Sequence, residues 1–164
     1  MVMQREEDGI RHEVIVFDMA RFLGYGERAL GLVPRLTTHE TAHILMHKRW
    51  PVLAEDVPYR RQLQHLCFDE GFAHLLACGE EIASFDFGGW VDQYWEPSLQ
   101  KLREALACTD PEKQQECLIR ANAGPYWEKF ACITGKLYLA QHRDQLFSIY
   151  SEGPDRFLPE LFLP

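Results

Sequence analysis

Apolar residues recur at intervals of three and four positions along most of the chain, which is the spacing of helices with one buried face. The clearest run covers residues 59–81, and its apolar members at helical spacing are Leu63, Leu66, Cys67, Phe72, Leu75 and Leu76. The sequence predicts further helices over residues 34–48, 97–107, 110–122, 126–142 and 145–151. Most of the chain is therefore expected to be helical.

Two other segments depart from the helical pattern. Residues 13–17 form a short run with β-branched side chains and are the best strand candidate. Residues 84–90 mix aromatic side chains with glycines, and we predict a loop there. Pro34 fits the first turn of the helix over 34–48. That helix is expected to end before Trp50 and Pro51, because the residue before a proline resists helical geometry.

Three local features of the sequence predict where one helix begins, where two helices pack closely and where the C-terminal tail lies. Asp110 followed by Pro111 is typical of a helix start, with an N-cap and a proline in the first turn. Gly135 lies in the middle of a predicted helix and indicates close packing against another helix. The apolar tail, residues 157–164, is expected to dock on the body or on a partner. We predict one α+β domain, predominantly helical, over residues 1–164, with a small strand element.

Composition narrows the classes of function. Hydrophobic residues make up 46% of the 164 positions and charged residues 26%, as in ordinary globular proteins. A formal net charge of -8, with no cluster of lysine and arginine, argues against a nucleic-acid partner. No stretch approaches the roughly 20 apolar residues of a membrane span, and residues 1–13 lack the apolar run of a signal peptide. The five cysteines include no C-x-x-C pair and suggest reduced thiols, so we expect a cytoplasmic protein.

The most informative motif is H-E-x-x-H, formed by His39, Glu40 and His43 within the helix predicted over 34–48. Residues four apart on a helix share one face, so both imidazoles can bind the same metal ion. Glu40 projects about 100° away and can hold a water molecule without binding the metal. Zinc enzymes use this arrangement, with a third ligand from elsewhere and an open position for water. The motif therefore predicts zinc, with Glu40 as general base.

A second motif, Glu70-Gly71-Phe72-Ala73, begins 27 positions after His43. In this order and at this separation, the two motifs resemble the gluzincin branch of H-E-x-x-H metallopeptidases. The similarity extends over roughly residues 30–80 and is greatest to small bacterial predicted zinc-dependent peptidases. The resemblance implies that Glu70, on the helix that follows, is the third zinc ligand.

The resemblance carries further expectations about fold, substrate and catalysis. It implies a zincin-like fold, with an active-site helix followed by a glutamate-bearing helix, and a peptide or protein substrate. Related gluzincins also use a downstream tyrosine or histidine to stabilise the oxyanion, a role for which Tyr126 and His74 are the candidates here. The chain departs from the family in having a short N-terminal part and a histidine, His74, where an acidic residue usually follows the third ligand.

Other roles are open to each of these residues. His47 lies about 12 Å along the helix axis from His39, too far for both to bind one ion easily, and is expected to play a polar supporting role. His74, one helical turn after Glu70, could replace it as a ligand. Without a metal, His39 and His43 would be one buried and one exposed helix histidine, and Glu70 a surface acid.

Two alternatives to a zinc metallopeptidase follow from these residues. The chain could bind zinc without peptidase activity and serve as an interaction domain that uses its apolar tail. It could also be a metal-free helical domain that binds a partner. A different hydrolytic substrate, such as a small amide, is compatible with the same motif, because H-E-x-x-H specifies the catalyst and leaves the pocket undefined. The sequence does not indicate an oligomeric state.

Overall fold

A computed structural model describes residues 9–11, 14–16, 24–54, 56–79 and 81–162, and these residues are predominantly helical, as the apolar pattern predicts. The described helices are α1 (Ala29–Arg49), α2 (Tyr59–Leu76), α3 (Glu81–Ser84), α4 (Gly88–Leu106), α5 (Pro111–Asn122), α6 (Phe130–Gln141), α7 (Leu146–Glu152) and α8 (Pro159–Phe162). No helix in these ranges has the length and apolar content needed to cross a membrane.

A short antiparallel hairpin precedes the helices. Strand β1 (Gly9–Arg11) pairs with β2 (Val14–Val16), and Ile10 lies opposite Ile15. The second strand falls inside the segment that the β-branched run marks as a strand candidate. Both strands lie against α1, so the hairpin borders the helix that carries H-E-x-x-H.

The core is centred on α2, which packs most extensively against α6 and also against α1. Two glycines allow α2 and α6 to approach closely. A Cβ atom on Gly135 would overlap the backbone carbonyl oxygen of Cys67, and one on Gly71 would lie 2.7 Å from the carbonyl carbon of Gly135. The prediction that Gly135 marks close helix packing is therefore confirmed.

Several helix boundaries differ from the predictions. Helix α1 begins a turn earlier than expected, so Pro34 lies inside it, and α4 begins at Gly88 with Pro97 inside it. The predicted loop over 84–90 is consequently wrong in its second half. A proline in a helix removes one N–H and leaves the carbonyl four residues earlier without its helical partner. Here those carbonyls belong to Leu30 and Gln93, both exposed, so water can bind them.

Other boundaries agree more closely with the sequence. Asp110 caps α5 as predicted, since its Oδ1 accepts hydrogen bonds from the backbone N–H groups of Glu112 and Lys113 at 3.0 and 3.4 Å. The segment predicted as a helix over 126–142 begins with a 3₁₀ turn (Tyr126–Glu128) before α6.

Residues 157–162 of the tail dock on the body of the molecule, which is one of the two outcomes that its apolar composition predicts, and residues 163–164 lie outside the described residues. Phe157, Leu158 and Phe162 are buried, and the side-chain amide of Gln64 donates a 2.8 Å hydrogen bond to the carbonyl of Phe157. All five cysteines are free thiols, and two of them are buried in the core. The tail thus covers one part of α2, and another part of α2 packs against α1, the helix that carries H-E-x-x-H.

Candidate metal centre

Helix α1 presents the two histidines of H-E-x-x-H side by side towards α2. The Nε2 atoms of His39 and His43 are 3.1 Å apart, and their rings meet nearly edge to face with centroids 4.7 Å apart. His43 is buried, and the side chain of His39 is only 14% exposed. This arrangement follows from the one-turn spacing of the two residues on a single helix face.

Glu70 of α2 brings a carboxylate to the same point. Its Oε2 lies 3.6 Å from His39 Nε2, and its Oε1 lies 3.7 Å from His43 Nε2. Two ligands of a tetrahedral zinc ion, each about 2.0–2.1 Å from the metal, are separated by about 3.3–3.4 Å. The two histidine nitrogens are 3.1 Å apart, and each lies 3.6 or 3.7 Å from a different oxygen of the Glu70 carboxylate, so these separations bracket this value. The three side chains therefore fit a zinc ion with little movement.

Asn122, the last residue of α5, holds the carboxylate of Glu70. Its side-chain amide donates a 2.8 Å hydrogen bond to Glu70 Oε1, and its carbonyl oxygen Oδ1 accepts one of 3.1 Å from the thiol of Cys132. The hydrogen bonds from Cys132 to Asn122 and from Asn122 to Glu70 thus hold the Glu70 carboxylate in its orientation. The sequence offers no signal for Asn122, because it lies 52 positions from Glu70 and meets it only through helix packing.

Asp69 supports the second nitrogen of His43. Its Oδ2 lies 3.0 Å from His43 Nδ1 and 3.1 Å from His47 Nε2. Metal-binding histidines generally have a carboxylate or carbonyl at the nitrogen that faces away from the metal, which fixes the tautomer and the ring orientation. Asp69 fits this role for His43, and His47 lies behind it. In the sequence Asp69 is simply the acidic residue before Glu70, and nothing there predicts its contact with His43.

His74 adds a fourth donor beside the three predicted ones. Its Nε2 lies 3.5 Å from Glu70 Oε2, and its ring centroid lies 4.6 Å from that of His39. This nitrogen is buried and has no hydrogen-bond partner among the described residues. Since a buried nitrogen without a partner is costly, a metal ion or a substrate group would satisfy it.

The side chains that carry these donor atoms line a cavity of about 760 Å³. Glu40 is buried and lines this cavity, as a general base for the site would have to. Tyr126 also lines the cavity, with its ring 5.4 Å from that of His74, and its hydroxyl accepts a 2.9 Å hydrogen bond from the ammonium of Lys136. The structure thus brings every predicted site residue, including the candidate His74, to one cavity and adds Asp69, Asn122, Lys129 and Lys136 around it.

The protonation states of the histidines differ because their surroundings differ. Burial, with help from the charge of His43, lowers the pKa of His39 to about 4, and burial also lowers the pKa of His74. Burial opposes a charge on His43 too, but contact with Asp69 and the charges of Asp69 and Glu70 outweigh it and raise the pKa of His43 to about 9. At neutral pH His39 and His74 are neutral and ready to bind a metal, whereas His43 holds a proton that a metal would displace.

Comparisons of the chain with protein-family models, with curated proteins and with solved structures give no significant match. The donor set, two imidazoles and one carboxylate beside a cavity, is one that zinc enzymes use.

Proposed function

We propose that the protein is a zinc-dependent hydrolase, most simply a metallopeptidase, in which His39, His43 and Glu70 hold the ion and Glu40 is the general base. One observation carries this proposal. The imidazole nitrogens of His39 and His43 lie 3.1 Å apart and 3.6–3.7 Å from the carboxylate oxygens of Glu70, and they line a cavity that a buried glutamate from the same motif also lines. Three protein ligands leave one position of a tetrahedral ion for water or substrate.

The chain supplies the remaining groups that peptide hydrolysis requires. Zinc, when bound, would act as a Lewis acid on water and on the substrate carbonyl. Glu40 accepts the proton of the attacking water and passes it to the leaving amine. The phenol oxygen of Tyr126 accepts a hydrogen bond from Lys136, which leaves the phenol hydrogen free to point at a substrate oxygen. Tyr126 is thus suited to stabilise the negative charge that develops there.

A second candidate function rests on His74. Its buried, unpartnered nitrogen lies 3.5 Å from Glu70 and could serve as a fourth protein ligand. Four protein ligands close the coordination of zinc, as in structural sites, and leave no position for water. In that case the protein would bind zinc without hydrolysing peptides.

The metal content of tag-free protein tests the zinc site first. About one zinc per chain is expected for the wild type, with zinc lost or sharply reduced in His43→Ala and Glu70→Ala. His142→Ala is the matched control, because His142 lies at the end of α6, where its ring contacts the carbonyl of Tyr138. Wild-type protein without zinc after growth with added metal would overturn the proposal and leave a helical partner-binding domain.

Hydrolysis of a peptide library then distinguishes an enzyme from a structural zinc protein. Glu40→Gln should retain zinc and lose about 10²–10⁴-fold in turnover, because the base is removed while the ligands stay. A wild type that holds zinc but cleaves nothing would favour the closed site. In that case His74→Ala should lower zinc affinity as strongly as His43→Ala.

A further inference from the structure

Lys136 of α6 is a buried cation on the cavity wall. Its residue exposure is 3%, and its Nζ atom donates to the hydroxyl of Tyr126 at 2.9 Å and lies 4.5 Å from the ring centroid of Trp90. A buried ammonium is costly unless it is paired with an anion, and the Tyr126 phenol, the neighbouring Cys78 thiol and two aromatic faces offset only part of this cost. An ammonium has three N–H groups, so Lys136 retains at least one to offer.

The structure contains no anion for this lysine within the part of the chain that it describes. No carboxylate in residues 9–11, 14–16, 24–54, 56–79 or 81–162 forms an ion pair with Lys136, and the same holds for Lys129, a half-buried cation that lines the same cavity. The chain as a whole carries a formal charge of -8, so acidic residues outnumber basic ones. Two lysines without an acidic partner in one cavity therefore run against the overall charge of the chain.

The position of the two lysines indicates what they would bind. Both line the cavity that holds the metal donors, and Lys136 contacts Tyr126, the residue suited to receive the substrate carbonyl oxygen. At about 760 Å³ the cavity has the size of small-molecule pockets, which are typically about 300–1,000 Å³. An anionic group next to the scissile bond of a small substrate would therefore share the cavity with both ammonium groups.

We propose that Lys136 and Lys129 bind the C-terminal carboxylate of a short peptide, so that the protein acts on the C-terminal end of small peptide substrates. This inference rests on the proposed hydrolase function and adds its substrate class. A carboxylate on the wall satisfies at least one remaining N–H group of Lys136 and directs the last peptide bond towards Glu40 and the donors. The same lysines could also bind the side-chain carboxylate of an aspartate or glutamate, and the experiment below distinguishes this ligand from a C-terminal carboxylate.

The test compares three pools of acetylated tripeptides: free acids, C-terminal amides without acidic residues, and C-terminal amides ending in Asp or Glu. Binding is measured by equilibrium dialysis and mass spectrometry on zinc-loaded Glu40→Gln protein, and hydrolysis on the zinc-loaded wild type. A charged hydrogen bond predicts that free acids bind, and are cleaved, about 10- to 100-fold better than neutral amides. Lys136→Met, in either background, should abolish this preference by weakening the acids alone.

Three further variants separate recognition from structure. Lys136→Arg keeps the charge and should retain the preference, and Tyr126→Phe should slow hydrolysis yet leave the binding preference intact. Lys101→Met, which removes an exposed lysine of α4, should behave as the parent protein. A variant that merely damages the fold would weaken acids and amides equally, which is a different result from the one predicted for Lys136→Met.

The binding measurement keeps this inference separate from the hydrolase proposal. Preferential binding of free acids that depends on Lys136, without cleavage of any pool, would support the carboxylate site and overturn the hydrolase function. Equal binding of acids and neutral amides, or a preference that survives Lys136→Met, would overturn the carboxylate site whether or not peptides are cleaved. Equal binding of free acids and acidic amides would overturn the C-terminal assignment and identify a side-chain carboxylate as the ligand.

Discussion

His43 connects the two parts of the candidate metal centre. Its Nε2 faces His39 and Glu70, and its Nδ1 lies 3.0 Å from Asp69. One ring therefore joins the predicted ligands to a carboxylate that the sequence does not single out. At the scale of single residues, the chemistry of the centre depends on what holds this imidazole as much as on the ligands themselves.

Asp69→Asn should lower zinc affinity by about 10- to 100-fold, because an amide supports the His43 ring less strongly than a carboxylate. Affinity is measured by competition with a chromophoric chelator above pH 9, where His43 carries no proton and the lower pKa of its ring in the variant does not offset the loss. Asp92→Asn is the matched control, since it makes the same substitution at an exposed position of α4 and should leave affinity unchanged. Equal affinities for both variants and the wild type would show that Asp69 does not support a metal ligand.

Zinc affinity should also depend on pH through His43. Asp69 and Glu70 outweigh the effect of burial and raise the pKa of His43 from 6.5 to about 9 in the metal-free protein, so below that pH a metal ion must displace a proton. Affinity should rise about tenfold per pH unit from pH 7 and level off near pH 9. The measurement is the same chelator competition, corrected for the chelator's own titration. Affinity that levels off near pH 7.5 would mean that the carboxylates do not hold this proton.

At the scale of helices, the sequence predicts what one helix determines and misses what two helices determine together. The one-turn spacing of His39 and His43 makes their convergence a property of α1 alone. Asp69 and Glu70 are neighbours on α2, about 100° apart, and only the way α2 lies across α1 lets both reach His43. Asn122 contributes from the end of α5, where no sequence pattern marks it.

Gly135→Ala should destabilise the protein by about 2–3 kcal/mol, because the added methyl group would overlap the carbonyl of Cys67 and force α6 away from α2. Urea unfolding measures this change. Zinc affinity should fall as well, since α2 carries Glu70.

Gly89→Ala is the control for this prediction. Gly89 lies in the first turns of α4, and a Cβ atom there meets no other atom within 4 Å. The free energy of unfolding should stay the same or rise by up to about 1 kcal/mol, because alanine favours a helix over glycine. Equal effects of the two substitutions would contradict the close packing of α2 against α6.

At the scale of the whole molecule, net charge and local charge give different information. The formal charge of -8 makes nucleic acid an unsuitable partner, yet the cavity wall carries Lys129 and Lys136. Neither lysine belongs to a motif, and both line the cavity only because α6 packs against α2 and α4. The class of the fold and the metal ligands could therefore be proposed from the sequence. The presence of positive charges in the cavity depends on how the helices pack together, and the sequence does not predict it.

Zinc should stabilise the whole fold, because its ligands come from both α1 and α2. Free zinc at about 1,000 times its dissociation constant adds about 4 kcal/mol to the free energy of unfolding. For a chain of 164 residues this raises the melting temperature by about 8–16 °C, measured by calorimetry on chelator-treated protein with and without zinc. Magnesium at the same concentration should have little effect, since imidazole ligands do not suit it.

The variants determine which side chains carry this stabilisation. Glu70→Ala should remove most of the zinc-dependent rise in melting temperature, and His142→Ala should keep all of it. A melting temperature that zinc does not change in the wild type would contradict a site shared by the two helices. His74→Ala distinguishes the two kinds of zinc site: a small loss fits three protein ligands with one position open for catalysis, whereas a loss as large as that of Glu70→Ala fits a closed site.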